Sequence, residues 1–173
     1  MTQPLVGIVL GSDSDLPLGR QAEKVLAEFG VASELTIASA HRTPERASRY
    51  AREARARGIK VIIAVAGLAA HLPGVLAAHT TLPVIGVPVA VGTLGGVDAL
   101  LSMAQMPSGI PVATVGIGAA KNAALLALAC LATADENMGQ RLEEYRERLA
   151  ADVDAKDRKL KEEGVNLQGG TMV

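Results

Sequence analysis

Two kinds of hydrophobic pattern alternate along the chain. Largely apolar runs of six to eight residues recur at LVGIVL (5–10), IKVIIAV (59–65), LPVIGV (82–87) and IPVATVGI (110–117), and the more polar VASELTI (31–37) reads as one more strand. Short runs of this kind, rich in Val and Ile and set among glycines and prolines, predict buried strands. Between them the period lengthens. Leu18, Ala22, Val25, Leu26 and Phe29 fall at helical spacing over 16–29, and Gly30 closes the segment. Thr43-Pro44-Glu45 reads as N-cap, first helical position and acidic first turn of a helix ending at Gly58. Further helices are predicted near 95–105 and over KNAALLALACLATA. Strand–helix alternation with continuously apolar strands predicts a parallel sheet covered on both faces. The expected class is therefore α/β, a three-layer doubly wound sheet.

The polar pattern adds a second division. Only Asp98 and Lys121 are charged between Val61 and Ala134, whereas 17 of the 30 residues from Asp135 to Gly164 are charged. Within that charged stretch Leu142, Tyr145, Leu149, Val153 and Leu160 form a narrow apolar stripe. It predicts a long C-terminal helix, about 135–163, lying either across a neighbouring surface or on its own domain. At 173 residues the chain suits one domain, taken as 1–164 with that helix included, followed by a tail at 165–173. Seventy-four nearly uncharged residues exceed what one such core needs, so part of 61–134 is expected to face other copies of the chain. The uncharged stretch 61–97 is not read as a membrane span, because Gly67, Pro73, Gly74, Pro83, Gly86, Pro88 and Gly92 break it into short pieces.

Composition sharpens this. There are 30 Ala and 18 Gly but one Phe, two Tyr and no Trp, so backbones must approach closely and no aromatic platform stacks bases. The net charge of −1 offers no polybasic footprint, so neither nucleic acid nor a membrane is an expected partner. The single Cys130, within LALACLATA, reads as a buried core thiol, and the N-terminus has no secretory pattern. Both suit a reducing, cytoplasmic setting.

In doubly wound sheets ligands bind beyond the carboxyl ends of the strands, so the loops GSDSD (11–15), SAHRTP (39–44) and AGLAAHLPG (66–74) are the places for chemistry. Gly11-Ser12 before a helix suits a phosphate. Two carboxylates in the same loop, Asp13 and Asp15, oppose a pure anion site; one of them suits a sugar hydroxyl, unless Asp15 simply caps the helix. Arg42 is a natural phosphate clamp and His41 a proton carrier, unless the pair is ordinary surface polarity. His71, amid Ala and Leu, is either a satisfied core histidine or a binding-site donor, and His79 reads as structural. The histidines show no metal-ligand spacing, and Gly116-Ile117-Gly118 lacks the third glycine of a dinucleotide fingerprint. A metal-dependent phosphatase or a phosphoacceptor domain would need acidic residues after later strands, where this chain has Ala-Gly and Val-Pro. By themselves these residues describe an enzyme acting on a small phosphorylated molecule through one histidine acid/base.

With GSDSD, SAHRTP, AAHLPG, GVPV, QMPSGIPVATV and KNAALLA in order, the chain resembles the N5-carboxyaminoimidazole ribonucleotide mutase (PurE) family of purine biosynthesis, from about Val6 to Ala134. The resemblance implies a flavodoxin-like fold, a homo-octamer, and an isomerase that moves a carboxylate from the exocyclic nitrogen to the ring carbon of an aminoimidazole ribonucleotide with no cofactor or metal. It implies His41 as general acid/base, Arg42 at the phosphate, Asp15 at the ribose, and Ser12 beside them. Ser39, Ala40, Gly67, Ala70, His71 and Leu72 would line the imidazole and carboxylate pocket. Leu68 stands where such sequences commonly read glycine, which bears on the loop's backbone and the pocket's width. The alternatives are direct carboxylation of the aminoimidazole ribonucleotide by carbon dioxide, in a branch that tends to carry Lys at the position of Arg42, and a non-catalytic ribonucleotide-binding protein.

Overall fold

The computed structural model describes residues 3–162. Five strands, β1 (Val6–Leu10), β2 (Ser33–Ile37), β3 (Val61–Ala66), β4 (Val84–Pro88) and β5 (Ala113–Thr114), form one all-parallel sheet in the order β2-β1-β3-β4-β5. The helices between them are α1 (Leu16–Glu28), α2 (Pro44–Ala54), α3 (Leu72–Ala78), α4 (Val97–Ala104), α5 (Ala120–Ala132) and α6 (Glu136–Glu162). This is the predicted doubly wound arrangement, with a flavodoxin-like strand order.

The alternation of side chains along each strand sorts the core into two layers. Val6, Ile8 and Leu10 of β1, Val61, Ile63 and Val65 of β3, and Ile85 and Val87 of β4 face α1 and α5. Val9, Ile62, Ala64, Ala66 and Val84 face α2, α3 and α4 instead. On this second face the contacts are small: Ala47, Ala51 and Ala54 of α2 lie against the sheet, and Tyr50 fills the space above Gly7 that a side chain there would occupy. The alanine-rich composition is thus used to bring helix and strand backbones together.

Four expectations change. The strand predicted over 110–117 contracts to Ala113–Thr114, since Pro111 has no N–H to give and the segment runs half-exposed along the sheet edge. AAHLPG opens a helix, α3, for which Pro73 is a favourable early residue. Cys130 is half-buried rather than buried, packed at the margin of the α5 core face, and burial raises its thiol pKa. The α6 stripe divides. Leu142 and Tyr145 pack on the α1/α5 core, while Leu149, Val153 and Leu160 are exposed on this chain. Arg141 anchors the packed end by donating to the Phe29 carbonyl at 2.7 Å and the Glu28 carbonyl at 3.3 Å, satisfying the end of α1. The predicted tail, 165–173, lies outside the described residues. Among the described residues no helix is long and apolar enough to cross a membrane.

Candidate active site

Between β1 and β3 the chain leaves in opposite directions, to β2 on one side and β4 on the other, and the crevice this opens lies at the strands' carboxyl ends. A cavity of about 440 Å³ occupies it. All ten residues singled out above line this cavity: Ser12, Asp15, Ser39, Ala40, His41, Arg42, Gly67, Ala70, His71 and Leu72. Ser14, Leu68, Ala69 and Val91 line it as well. Val91 had no signal in the sequence, because it belongs to the loop after β4 and enters only through the pairing of β4 with β3.

The loop after β1 is organised by its own carboxylates. Ser12 N–H donates to Asp15 Oδ2 at 3.0 Å, and Ser14 N–H donates to Asp13 Oδ1 at 3.1 Å. Asp15 therefore turns back on the loop and makes no side-chain cap to α1, although it precedes that helix. It is 5% exposed. Burial pushes its carboxyl above the ordinary value, Asp13 adds repulsion, and the Ser12 N–H pulls the other way. Exposed Asp13 is held below the ordinary value, chiefly by the Ser12 hydroxyl, which donates to it at 3.0 Å.

The loop after β2 is closed by Thr43. Its hydroxyl accepts from Ser39 N–H at 3.0 Å and donates to the Ser39 carbonyl at 3.1 Å, while Thr43 N–H reaches the same carbonyl at 2.9 Å. The predicted N-cap role of Thr43 is thus displaced, since the side chain makes no cap bond to α2. The turn holds up Ala40, His41 and Arg42 between its ends. Arg42 is exposed, with its backbone N–H on Ser39 Oγ at 3.2 Å, and among the described residues it forms no salt bridge. Its guanidinium reaches the Gly11 carbonyl at 3.4 Å and, being in no salt bridge at the edge of the cavity, is available to an anionic group.

From the loop after β3, His71 meets His41. His41 Nε2 and His71 Nδ1 are 2.6 Å apart, with the rings edge to face at 4.6 Å between centroids. His71 is exposed to the cavity, which removes the core-histidine reading. The separation suits a hydrogen bond in which one ring nitrogen donates and the other accepts. Leu68 and Ala70, in the same loop, have φ of +57° and +43°. Left-handed backbone at non-glycine residues costs roughly 1–3 kcal/mol each and persists where tertiary contacts enforce it. Ala70 and Leu72 are buried and form the cavity's apolar floor.

His79 lies elsewhere, exposed at the end of α3. With Arg52 and Arg55 it borders a hollow of about 780 Å³ beside the start of β4, where Arg55 donates to Thr81 Oγ1 at 2.8 Å. Among the described residues no group of three His, Cys, Asp or Glu is placed to hold a metal ion.

The cavity can thus present a cation, a buried carboxylate and a hydrogen-bonded imidazole pair against apolar walls. Comparison with known proteins points the same way. The sequence model for AIR carboxylase matches residues 5–152. The N5-carboxyaminoimidazole ribonucleotide mutase of Pyrococcus horikoshii is 57% identical over 162 residues, covering 94% of this chain and 92% of that protein. The phosphoribosylaminoimidazole carboxylase of Saccharomyces cerevisiae is 54% identical over 95% of this chain, which corresponds to only 29% of the yeast protein. The crystal structure of Treponema denticola PurE superposes with a TM-score of 0.83 at 33% identity, covering 91% of this chain and 99% of that one.

Proposed function

The chain belongs to the AIR carboxylase family, and from that membership and the geometry of its cavity we propose that it is an isomerase of purine biosynthesis. It converts N5-carboxyaminoimidazole ribonucleotide to 4-carboxy-5-aminoimidazole ribonucleotide. The observation that carries this reading is the 2.6 Å contact between His41 and His71 in the cavity whose mouth holds Arg42.

The reaction needs little beyond one mobile proton. Protonation of the exocyclic nitrogen breaks its bond to the carboxylate carbon, giving carbon dioxide and a neutral, electron-rich aminoimidazole. The ring carbon then attacks the carbon dioxide, and removal of that carbon's proton restores aromaticity. One proton goes in and one comes out, so His41 serves as acid and then as base. His71 holds the imidazole in place and takes up the complementary end of the shared hydrogen bond. Arg42 and Ser12 bind the phosphate, and Asp15, whose lone pairs are not all used by Ser12, receives the ribose hydroxyls. Ser39, Ala40, Gly67, Ala70 and Leu72 shape the space around the imidazole and keep water from the carbon dioxide.

The family resemblance further supports a cytoplasmic homo-octamer. Leu149, Val153 and Leu160 on α6, at 48%, 63% and 52% exposure, and Leu94 and Leu101 near α4 offer apolar surface for such contacts.

The yeast relative's name favours direct carboxylation as the second reading. Supplying the purified protein with either N5-carboxyaminoimidazole ribonucleotide or aminoimidazole ribonucleotide plus bicarbonate, without ATP, separates the two. Faster formation of the carbon-linked product from the first substrate at low bicarbonate is the expected result. Product from the second alone overturns the mutase reading, and binding without conversion overturns both.

A further inference from the structure

At the mouth of the cavity the loops after β3 and β4 interlock by a reciprocal exchange of side chain for glycine. A Cβ on Gly67 would stand 2.6 Å from Val91 Cγ2 and 3.2 Å from Val89 Cβ. A Cβ on Gly92 would stand 2.9 Å from Leu68 Cδ2. Each loop therefore inserts one branched apolar side chain into the space left by the other's glycine. The Val89 N–H bond to the Ala66 carbonyl, at 3.0 Å, carries the β3–β4 pairing up to this point, and Ala70 N–H closes the turn on the Gly67 carbonyl at 3.1 Å.

The backbone of Leu68 serves this contact. Its φ of +57° directs the side chain toward the neighbouring loop, a conformation leucine adopts only where something holds it. Nothing in the core requires it, since Leu68 is 55% exposed and Val91 is 38% exposed. Both nevertheless line the cavity that holds His41 and His71. Two apolar side chains thus line the cavity while remaining partly exposed to solvent.

We propose that Leu68 and Val91 form an apolar latch that retains carbon dioxide between its release from nitrogen and its capture at carbon. This inference rests on the mutase reading above and assigns a specific job to two residues outside the polar machinery. Carbon dioxide makes no strong hydrogen bonds, so the cavity keeps it by shape and by the lack of a wet path outward. A leucine pinned to the opposite loop closes such a path, whereas a small residue at 68 leaves Gly92 unfilled and the rim open.

The test compares the intact protein with Leu68→Ala, Val91→Ala and the conservative Leu68→Met, each checked for unchanged unfolding behaviour. Each is given N5-carboxyaminoimidazole ribonucleotide in buffer containing ¹³C-bicarbonate and carbonic anhydrase. Mass spectrometry reads the ¹³C fraction of the carbon-linked product and the yield of free aminoimidazole ribonucleotide. Low ¹³C in the intact protein, a several-fold rise in both quantities for the two alanine variants, and return to the low value with Leu68→Met are expected. Retention in Leu68→Ala and Val91→Ala equal to that of the unmodified protein overturns the latch while leaving the mutase reading intact. Absence of any carbon-linked product from the unmodified protein overturns the mutase reading, and the latch with it.

Discussion

The two loops that bring histidines together are built on opposite principles. The His41 loop, 39–43, is held by three short-range hydrogen bonds between Ser39 and Thr43, and every residue in it has an ordinary negative φ. The His71 loop, 67–71, has one turn bond, from Ala70 to Gly67, and two non-glycine residues in left-handed conformation. The first is stable by local chemistry. The second takes its shape from the neighbouring loop, through Leu68 against Gly92 and Val91 against Gly67. The difference teaches where each kind of rigidity is used. The proton carrier proposed at His41 must be held to a fraction of an ångström, which short hydrogen bonds accomplish. An apolar rim needs only shape, which packing accomplishes even at the expense of some backbone strain.

The largest effect is expected at the chemistry the first loop presents. His41→Asn should lower turnover by about 10²–10⁴-fold, the usual contribution of a placed acid/base, while calorimetry shows substrate affinity changed far less. Turnover near that of the unmodified protein would remove His41 from its assigned role. A smaller effect is expected from the loop's closure. Thr43→Val keeps the shape of the side chain but removes its hydrogen bonds with Ser39, each worth about 0.5–1.5 kcal/mol net. It should lower the unfolding temperature and reduce kcat/KM several-fold as His41 loses its fixed position. An unchanged kcat/KM would show that packing, not these bonds, holds the loop.

The smallest effect sharpens the comparison most directly, because one residue type is placed in both loops. Ala40→Gly should destabilise the protein by about 0.4–1 kcal/mol, since glycine only adds freedom to the unfolded chain. Leu68→Gly adds similar freedom but relieves a left-handed conformation that costs about 1–2 kcal/mol, so its stability should match or exceed that of the unmodified protein. Chemical denaturation of the two variants side by side measures the difference. Greater destabilisation by Leu68→Gly than by Ala40→Gly would mean that the packing of Leu68 outweighs its strain.

Much of this molecule was legible along the chain. Four apolar runs and the more polar VASELTI mark β1 to β5, Thr43-Pro44 marks the start of α2, and the loops at the carboxyl ends hold every residue selected for the site. Such features follow from burial and backbone preference acting on neighbours in sequence, and neighbours in sequence can be read directly. The shortening of β5 was not legible, since an apolar run does not say whether its edge finds a partner. Nor was Thr43's use of its hydroxyl on Ser39, because capping and loop closure draw on the same side chain.

By itself, then, the sequence determined the alternation of strands and helices, the two-layer core and the identity of the polar groups available for chemistry. Only the tertiary structure decided that His71 faces His41 across 30 residues of chain, and that Leu68 must turn left-handed to reach Gly92. It also decided that α6 is covered as far as Tyr145 while Leu149, Val153 and Leu160 remain open on this chain. The physical reason is the same in each case. Periodicity records which side of an element is buried, but a contact between loops depends on where two strands end beside each other, and that is set by the order of strands in the sheet.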